Sequence, residues 1–331
     1  MNRSGYRRFI RIDAGPSNDR KGISMTRYLL ALTLLTATAV TAQAQQEGPT
    51  PTQALIVVES KNPTVPTIHD VTVKVNNRNA ELTGLTQVGA SGAQVAILID
   101  DGLRVSVSRE LGSLRSFIKG LRPGTEVFVG YMQNGRVLTG QDFTTDYDAA
   151  AKSLRIPVGS PGLSASPYFC LSEFVKRWPE GASAGAGPKA RFVLMITNGV
   201  DPYNGSTSIL NQNSPYVDTA VRDAQRAGVA VYSMYYSDAG IRGGRASFSG
   251  QSYLAQVAEG TGGTAYYQGT GNPVSMEPFL KQFQKAISET YIASFAAPAG
   301  KGLVQFKAST KLPKTKVHAA TYVQPGNQLQ P

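Results

Sequence analysis

Two short apolar runs end abruptly on oxygen-bearing side chains: VAILI is followed by Asp100, and FVLMI by Thr197-Asn198-Gly199. A continuous apolar run of this length reads as a strand covered on both faces by helices. In an open α/β sheet, ligands bind where loops converge at the carboxyl ends of the strands. If these two strands are neighbours, Asp100 and Asn198 face one crevice with a carboxylate and an amide oxygen. Such donors form a candidate site for a hard cation such as magnesium, which takes oxygen ligands in near-octahedral geometry.

Other chemistries are poorly supplied. His69 and His318 are the only histidines, and both fall in or beside expected strands of the flanks, so a triad lacks its base. With one cysteine, Cys170, there is no zinc cluster and no intramolecular disulfide, and Cys170 is expected to be a buried small hydrophobe. Gly181-Ala182-Ser183-Ala184-Gly185 has nucleophile-elbow spacing, yet no apolar strand leads directly into it. Gly162-Leu163-Ser164-Ala165-Ser166 is a loop without the last glycine, and neither a Walker A motif nor a dinucleotide fingerprint occurs. No enzyme activity is expected.

The elements that must position the polar cluster alternate regularly from Val95 onward. After VAILI, residues Leu111, Leu114, Ile118 and Leu121 share one helical face. TEVFVGYM and VLTGQDF are strands joined at Asn134-Gly135, a hairpin-turn pair. Asp146 caps DYDAAAKSL, and YFCLSEFVKRW is an amphipathic helix. Ser214, Pro215 and Gly228 bracket another helix, VAVYSMYY is a strand, and SYLAQVAEG, TAYY and MEPFLKQFQKAISETY continue the alternation. Ser108 is expected to cap the first of these helices, with Glu110 in its first turn. Such repetition predicts an α/β fold with a mostly parallel central sheet flanked by helices. Before it, VTVKVNN alternates with period two, and after it so do YIASFAA, GLVQFKAST and TKVHAATYV, which predicts small β-rich flanks, sharing an antiparallel sheet.

The net charge of +11 is concentrated at the front, where seven basic residues before Ala44 face only Asp13 and Asp19. The mild remaining excess gives no nucleic-acid footprint. From Met25, one arginine precedes an uncharged, mostly apolar run that ends in Ala42-Gln43-Ala44, the pattern of a cleaved signal peptide rather than a stable membrane span. Residues 1–24 are either an extended charged region or lie upstream of a true start at Met25. The expected location is therefore exported, periplasmic or secreted.

The order and spacing of these segments, with the Thr261-Gly262-Gly263 turn and the SETYIASF ending, resemble a von Willebrand factor A domain, in particular exported bacterial proteins of that kind. The resemblance covers roughly residues 50–323. It implies a Rossmann-like fold and a metal ion-dependent adhesion site built from Asp-x-Ser-x-Ser, a middle Thr and a Thr-Asp-Gly loop. In this chain the first motif is Asp100-Asp101-Gly102-Leu103-Arg104, so Gly102 and Arg104 stand at the two serine positions. The middle threonine falls near Ser164 or Ser166, and the last aspartate is Asn198. Asp100, Ser166 and Asn198 are the implied metal residues, in a degenerate site where Arg104 is expected to pair with Asp100 in place of the ion.

Asp101, Ser106, Ser108 and Asp201 are alternative donors that could rebuild a different metal site, although Asp201 before Pro202 also reads as a turn. The expected organisation is an extension and signal peptide at 1–44, a linker and β-rich lead-in at 45–92, the α/β domain at 93–290, a β-rich segment at 291–323, and a flexible tail at 324–331. The expected function is an exported, non-catalytic, adhesion-like protein-binding module that works without a metal or other cofactor. Its partner surface would include Asp101, Arg104 and Asp201, with Arg242 and Arg245 in the loop 239–251 receiving an acidic partner. Two alternatives stay open: an envelope-complex component that assembles through the β-rich flanks, and a magnesium-dependent domain with a rebuilt site.

Overall fold

Period-two alternation forms the lead-in: β1 (Thr50–Ser60), β2 (Val71–Val75), β3 (Arg78–Ala80) and β4 (Leu82–Gln87). The computed structural model describes residues 48–61, 65–89, 92–181, 189–204, 214–237 and 244–329, with only the backbone for 204 and 244–247. The signal segment therefore lies outside the described residues, as do the serine of the Gly181–Gly185 motif and Arg242. β5 (Ala93–Asp100) is buried along its whole length, and the chain then makes a 3-10 turn, Val105–Glu110, before helix α1 (Leu111–Lys119). That turn corrects the expectation for Ser108, which lies inside it and does not cap α1; Glu110 Oε2 instead accepts from the Met276 amide at 2.7 Å.

β6 (Glu126–Gln133) turns into β7 (Arg136–Thr144) through Asn134 and Gly135, both at positive φ (48° and 76°), as the tight hairpin turn requires. Helix α2 (Tyr147–Lys152) is capped by Asp146, whose Oδ1 accepts from the Ala149 amide at 3.0 Å. α3 (Pro167–Lys176) leads through residues 177–181 and onward to β8 (Ala190–Thr197). α4 (Pro215–Arg226) opens on Ser214, whose Oγ accepts from the Tyr216 and Val217 amides, and ends beside Gly228 at φ 64°. β9 (Val229–Tyr235) precedes α5 (Gly244–Thr261), so residues 244–251, expected as loop, are the first turns of a helix. β10 (Ala265–Tyr266) and α6 (Glu277–Ser288) complete the alternation.

The six-stranded central sheet has the order β10-β9-β8-β5-β6-β7, parallel throughout except for β7. Alternate residues divide two cores. Val95, Ile97 and Ile99 of β5 pack with α1, α2 and α6, whereas Ala96 and Leu98 pack with α3, α4 and α5. Counted within this sheet alone, the strand order is 3-2-1-4-5-6, the doubly wound arrangement of a von Willebrand factor A or Rossmann-like fold. Because the chain winds away from β5 in one direction and from β8 in the other, a crevice opens at the carboxyl ends of these two strands.

The flanks close on each other. β11 (Thr290–Ala297), β12 (Val304–Thr310), β13 (Thr315–Ala319) and β14 (Tyr322–Val323) complete two four-stranded sheets, β13-β1-β11-β4 and β14-β12-β2-β3. They share a core of Ile56, Val73, Ala293, Phe295 and Phe306, in which the two phenylalanine rings stack at 5.1 Å. On the other side of β11 and β1, Ile292 and Leu55 pack into the core beside α6, so the flanks are continuous with the α/β layers. Residues 324–329, expected as part of a flexible tail, are instead tied to β1: Asn327 O accepts from the Gln53 amide at 2.8 Å and Thr52 Oγ1 from the Gly326 amide at 3.0 Å. Among the described residues no helix is long and apolar enough to cross a membrane.

Candidate functional site at the carboxyl edge of the sheet

β5 and β8 run side by side, with Ile99 opposite Ile196, so Asp100 and Thr197 emerge together at the switch point. Asp100 is 2% exposed and already well served by protein donors. Thr197 Oγ1 donates to its Oδ2 at 2.7 Å, Ser164 Oγ to the same oxygen at 3.2 Å, and the Gly102 amide to Oδ1 at 2.9 Å. Thr197 is thus the residue that joins the two strand ends. The sequence signal for it is its place at the end of the apolar run, ahead of Asn198 and Gly199.

Asn198 is buried and folds back on its own loop, its Oδ1 accepting from the Val200 amide at 2.8 Å. Gly199 follows at φ 66°, and a Cβ there would stand 2.5 Å from the Gly250 carbonyl oxygen. Only glycine lets α5 approach this closely. Ser166 caps α3, its Oγ accepting from the Tyr168 amide at 3.3 Å, whereas Ser164 is the loop hydroxyl that reaches Asp100. Asp201 braces the start of α4: its Oδ2 accepts from Ser214 Oγ at 2.8 Å and its Oδ1 from the Tyr203 amide at 3.2 Å.

The neighbouring carboxylate carries the main electrostatic feature. Asp101 has a fully buried side chain and meets Arg155 end-on, Nη1 to Oδ1 at 2.6 Å and Nη2 to Oδ2 at 2.6 Å. The Val158 amide donates to Oδ1 at 3.1 Å, and Gln133 Nε2 donates to Oδ2. Burial alone would raise the Asp101 carboxyl, but Arg155, Gln133 and the Val158 amide outweigh it and hold the group below its ordinary value. The same contact raises Arg155. The guanidinium lies 3.7 Å over the Tyr131 ring, and the Tyr131 hydroxyl accepts from the Arg155 amide at 2.6 Å. Arg155 was not among the expected site residues, and Arg104 was; Arg104 is exposed, and the hydrogen bonds described above on Asp100 come from Thr197, Ser164 and Gly102.

The Gly102 position tests the fit of an adhesion-type metal. A Cβ there would stand 2.9 Å from the Ser160 carbonyl oxygen and 3.2 Å from Asp100 Oδ1. A serine at position 102 would therefore press on the Ser160 carbonyl. Among the described residues no three His, Cys, Asp or Glu side chains gather in a metal-holding group.

Aromatic rings form a second cluster on this edge. Phe169, in the first turn of α3, lies 5.2 Å from Tyr203 and 4.8 Å from Tyr216, and the two tyrosines are 55% and 37% exposed. Arg242 lies outside the described residues, and Arg245 is described only by its backbone in α5. Cys170 is buried, and burial pushes its thiol well above the ordinary value, in keeping with a small packed side chain. His318 lies on Glu59 at 3.2 Å in the flanking sandwich.

No family model matches the chain, and no curated protein matches it. Solved structures resemble it at the level of layering. They include an aerotolerance-related membrane protein from Bacteroides fragilis, with 13% identity, 59% of this chain and 98% of that chain covered, and a TM-score of 0.38. The ArnB paralog VWA2 from Sulfolobus acidocaldarius shows 9% identity, coverage of 83% and 76%, and a TM-score of 0.34. The SpRpn10 VWA domain shows 10% identity, coverage of 60% and 97%, and a TM-score of 0.35. At these values the likeness carries no argument, and strand order and polarity carry the fold.

Proposed function

We propose that this chain is an exported, non-catalytic protein-binding module whose recognition edge works without a metal ion. The observation that carries the reading is the state of the two carboxylates at the switch point. Asp100 is occupied by two hydroxyls and an amide, and Asp101 by a guanidinium, a side-chain amide and a backbone amide. An added cation would have to displace these donors while finding neither serine of the family motif, and magnesium tolerates incomplete shells badly. Export rests on the apolar run and Ala42-Gln43-Ala44 of the sequence. Exposed tyrosines gathered on Phe169 supply the amphipathic contact area on which protein interfaces rely.

Photo-crosslinking residues placed singly at Val105 and Tyr203, and at Lys281 at the opposite end of the sheet, test this in the exporting cell. A discrete product from the first two positions and none from Lys281 is expected. Equal products from all three positions, or none from any, contradict the reading.

A further inference from the structure

The Asp101–Arg155 pair leaves one edge of the guanidinium open. Arginine carries five N–H donors in a planar fork. The end-on pair is used on Asp101 at 2.6 Å each, and the other Nη1 hydrogen faces the Ile156 carbonyl oxygen at 3.1 Å. Nε–H and the second Nη2–H remain. These two donors lie side by side along the lateral edge of the fork, and among the described residues neither meets an acceptor. Tyr131, 3.7 Å from the guanidinium carbon, covers one face and fixes the plane, so the edge is ordered before anything binds.

The surroundings suit a protein ligand. The Arg155 side chain keeps 44% of its surface exposed. Three aliphatic side chains on the loops that meet at Asp101 are left in solvent: Val105 at 61%, Ile156, next in sequence to Arg155, at 52%, and Val158, whose amide donates to Asp101, at 58% exposure. Val105 abuts the same loop, its Cγ1 lying 3.3 Å from where a Cβ on Gly159 would stand. Arg155 and Asp101 together carry no net charge, so an incoming carboxylate is held by the two directed N–H donors rather than by an excess of positive charge.

We infer that this open edge of Arg155 is a carboxylate receptor, and that its occupant is a protein segment carrying an Asp or Glu flanked by apolar side chains. The inference rests on the binding-module reading and supplies its chemistry. Two parallel N–H donors match the two oxygens of a carboxylate. The aliphatic collar excludes water around that contact, as the neutral surround of an interface hot spot does. A guanidinium fixed by the protein thereby receives the partner's carboxylate.

The test titrates the full chain, labelled with nitrogen-15, with the capped peptide acetyl-Val-Asp-Val-amide and with its Asn twin. The Arg155 Nε–H resonance is expected to shift saturably with the acidic peptide, and the Asn twin to bind roughly tenfold more weakly. Arg155→Lys keeps the charge on Asp101 but lacks the fork, and is expected to weaken binding about tenfold. Ile156→Ser changes only an exposed side chain, so folding is unaffected, and is expected to weaken it about threefold. Shifts around Tyr203 and Asn198 with an unmoved Arg155 Nε–H overturn the receptor while leaving the module reading intact. No saturable shift up to about 20 mM peptide also overturns it, and the crosslinking result then judges the module reading separately.

Discussion

The central sheet holds a buried carboxylate paired with a cation at each end, and the two pairs are built differently. At the amino end, Glu126 is fully buried and meets Lys189 at 3.0 Å, the lysine itself being only 9% exposed. Gln94 donates to Glu126 at 2.8 Å and accepts from Trp178 Nε1 at 2.8 Å, and the burial of both charged side chains seals the pair from water. At the carboxyl end, Asp101 is as deeply buried, but its Arg155 partner is 44% exposed and keeps two donors toward solvent. A sealed pair can only brace the fold. An open one braces the loop 153–158 and still presents hydrogen-bonding capacity to another molecule.

That contrast predicts different costs. Lys189→Ala removes the cation from a fully buried carboxylate, although Gln94 still donates to it, and is expected to lower stability by about 3–5 kcal/mol, the range for breaking a buried ion pair. Arg155→Ala also strands a buried carboxylate, yet water can enter where the exposed guanidinium stood. Its expected cost is about 2 kcal/mol, measured by urea unfolding at neutral pH. If Arg155→Ala proves the costlier of the two, the amino-end pair is not the sealed one.

Acid titration sharpens the difference. Asp101 has a folded value below the ordinary 3.8, with Arg155 foremost among the groups that lower it. Its contribution is therefore complete above the unfolded value and is lost as pH falls through the folded one. The stability gap between wild type and Arg155→Ala is expected to narrow below about pH 4. A gap that is constant down to pH 2.5 means that Arg155 acts through packing on Tyr131 rather than through charge.

Much of the scaffold was legible in the sequence because it depends on local chemistry. The Asn134-Gly135 turn, the Asp146 and Ser214 caps and the buried runs before Asp100 and Thr197 are set by residue type and period within a few positions. The pairing of the flanks was legible from period-two alternation, although their register was not. Asp100 could be found because it ends a buried strand. Arg155 could not, since its partner lies 54 positions away and only the fold brings the loop after α2 across β5. Asp101 meets a guanidinium in the fold, but neither periodicity nor spacing says which arginine supplies it. Ser108 was misplaced because the 3-10 turn Val105–Glu110 holds the expected cap one turn outside α1.

In the proposed reading a protein guanidinium, rather than a bound metal, provides the positive charge at the switch point. Thermal unfolding of the full chain in EDTA and in about 10 mM magnesium, for wild type and for Asp100→Asn, tests it most directly, because an ion that binds only the native state must raise its melting temperature. Wild type is expected to melt within about 1 °C in the two buffers. Asp100→Asn is expected to lose under about 1 kcal/mol, since the Thr197 and Ser164 hydroxyls can turn to accept from the new amide. A rise of about 5 °C or more with magnesium that disappears in Asp100→Asn contradicts this reading, and makes this edge a metal-dependent site after all.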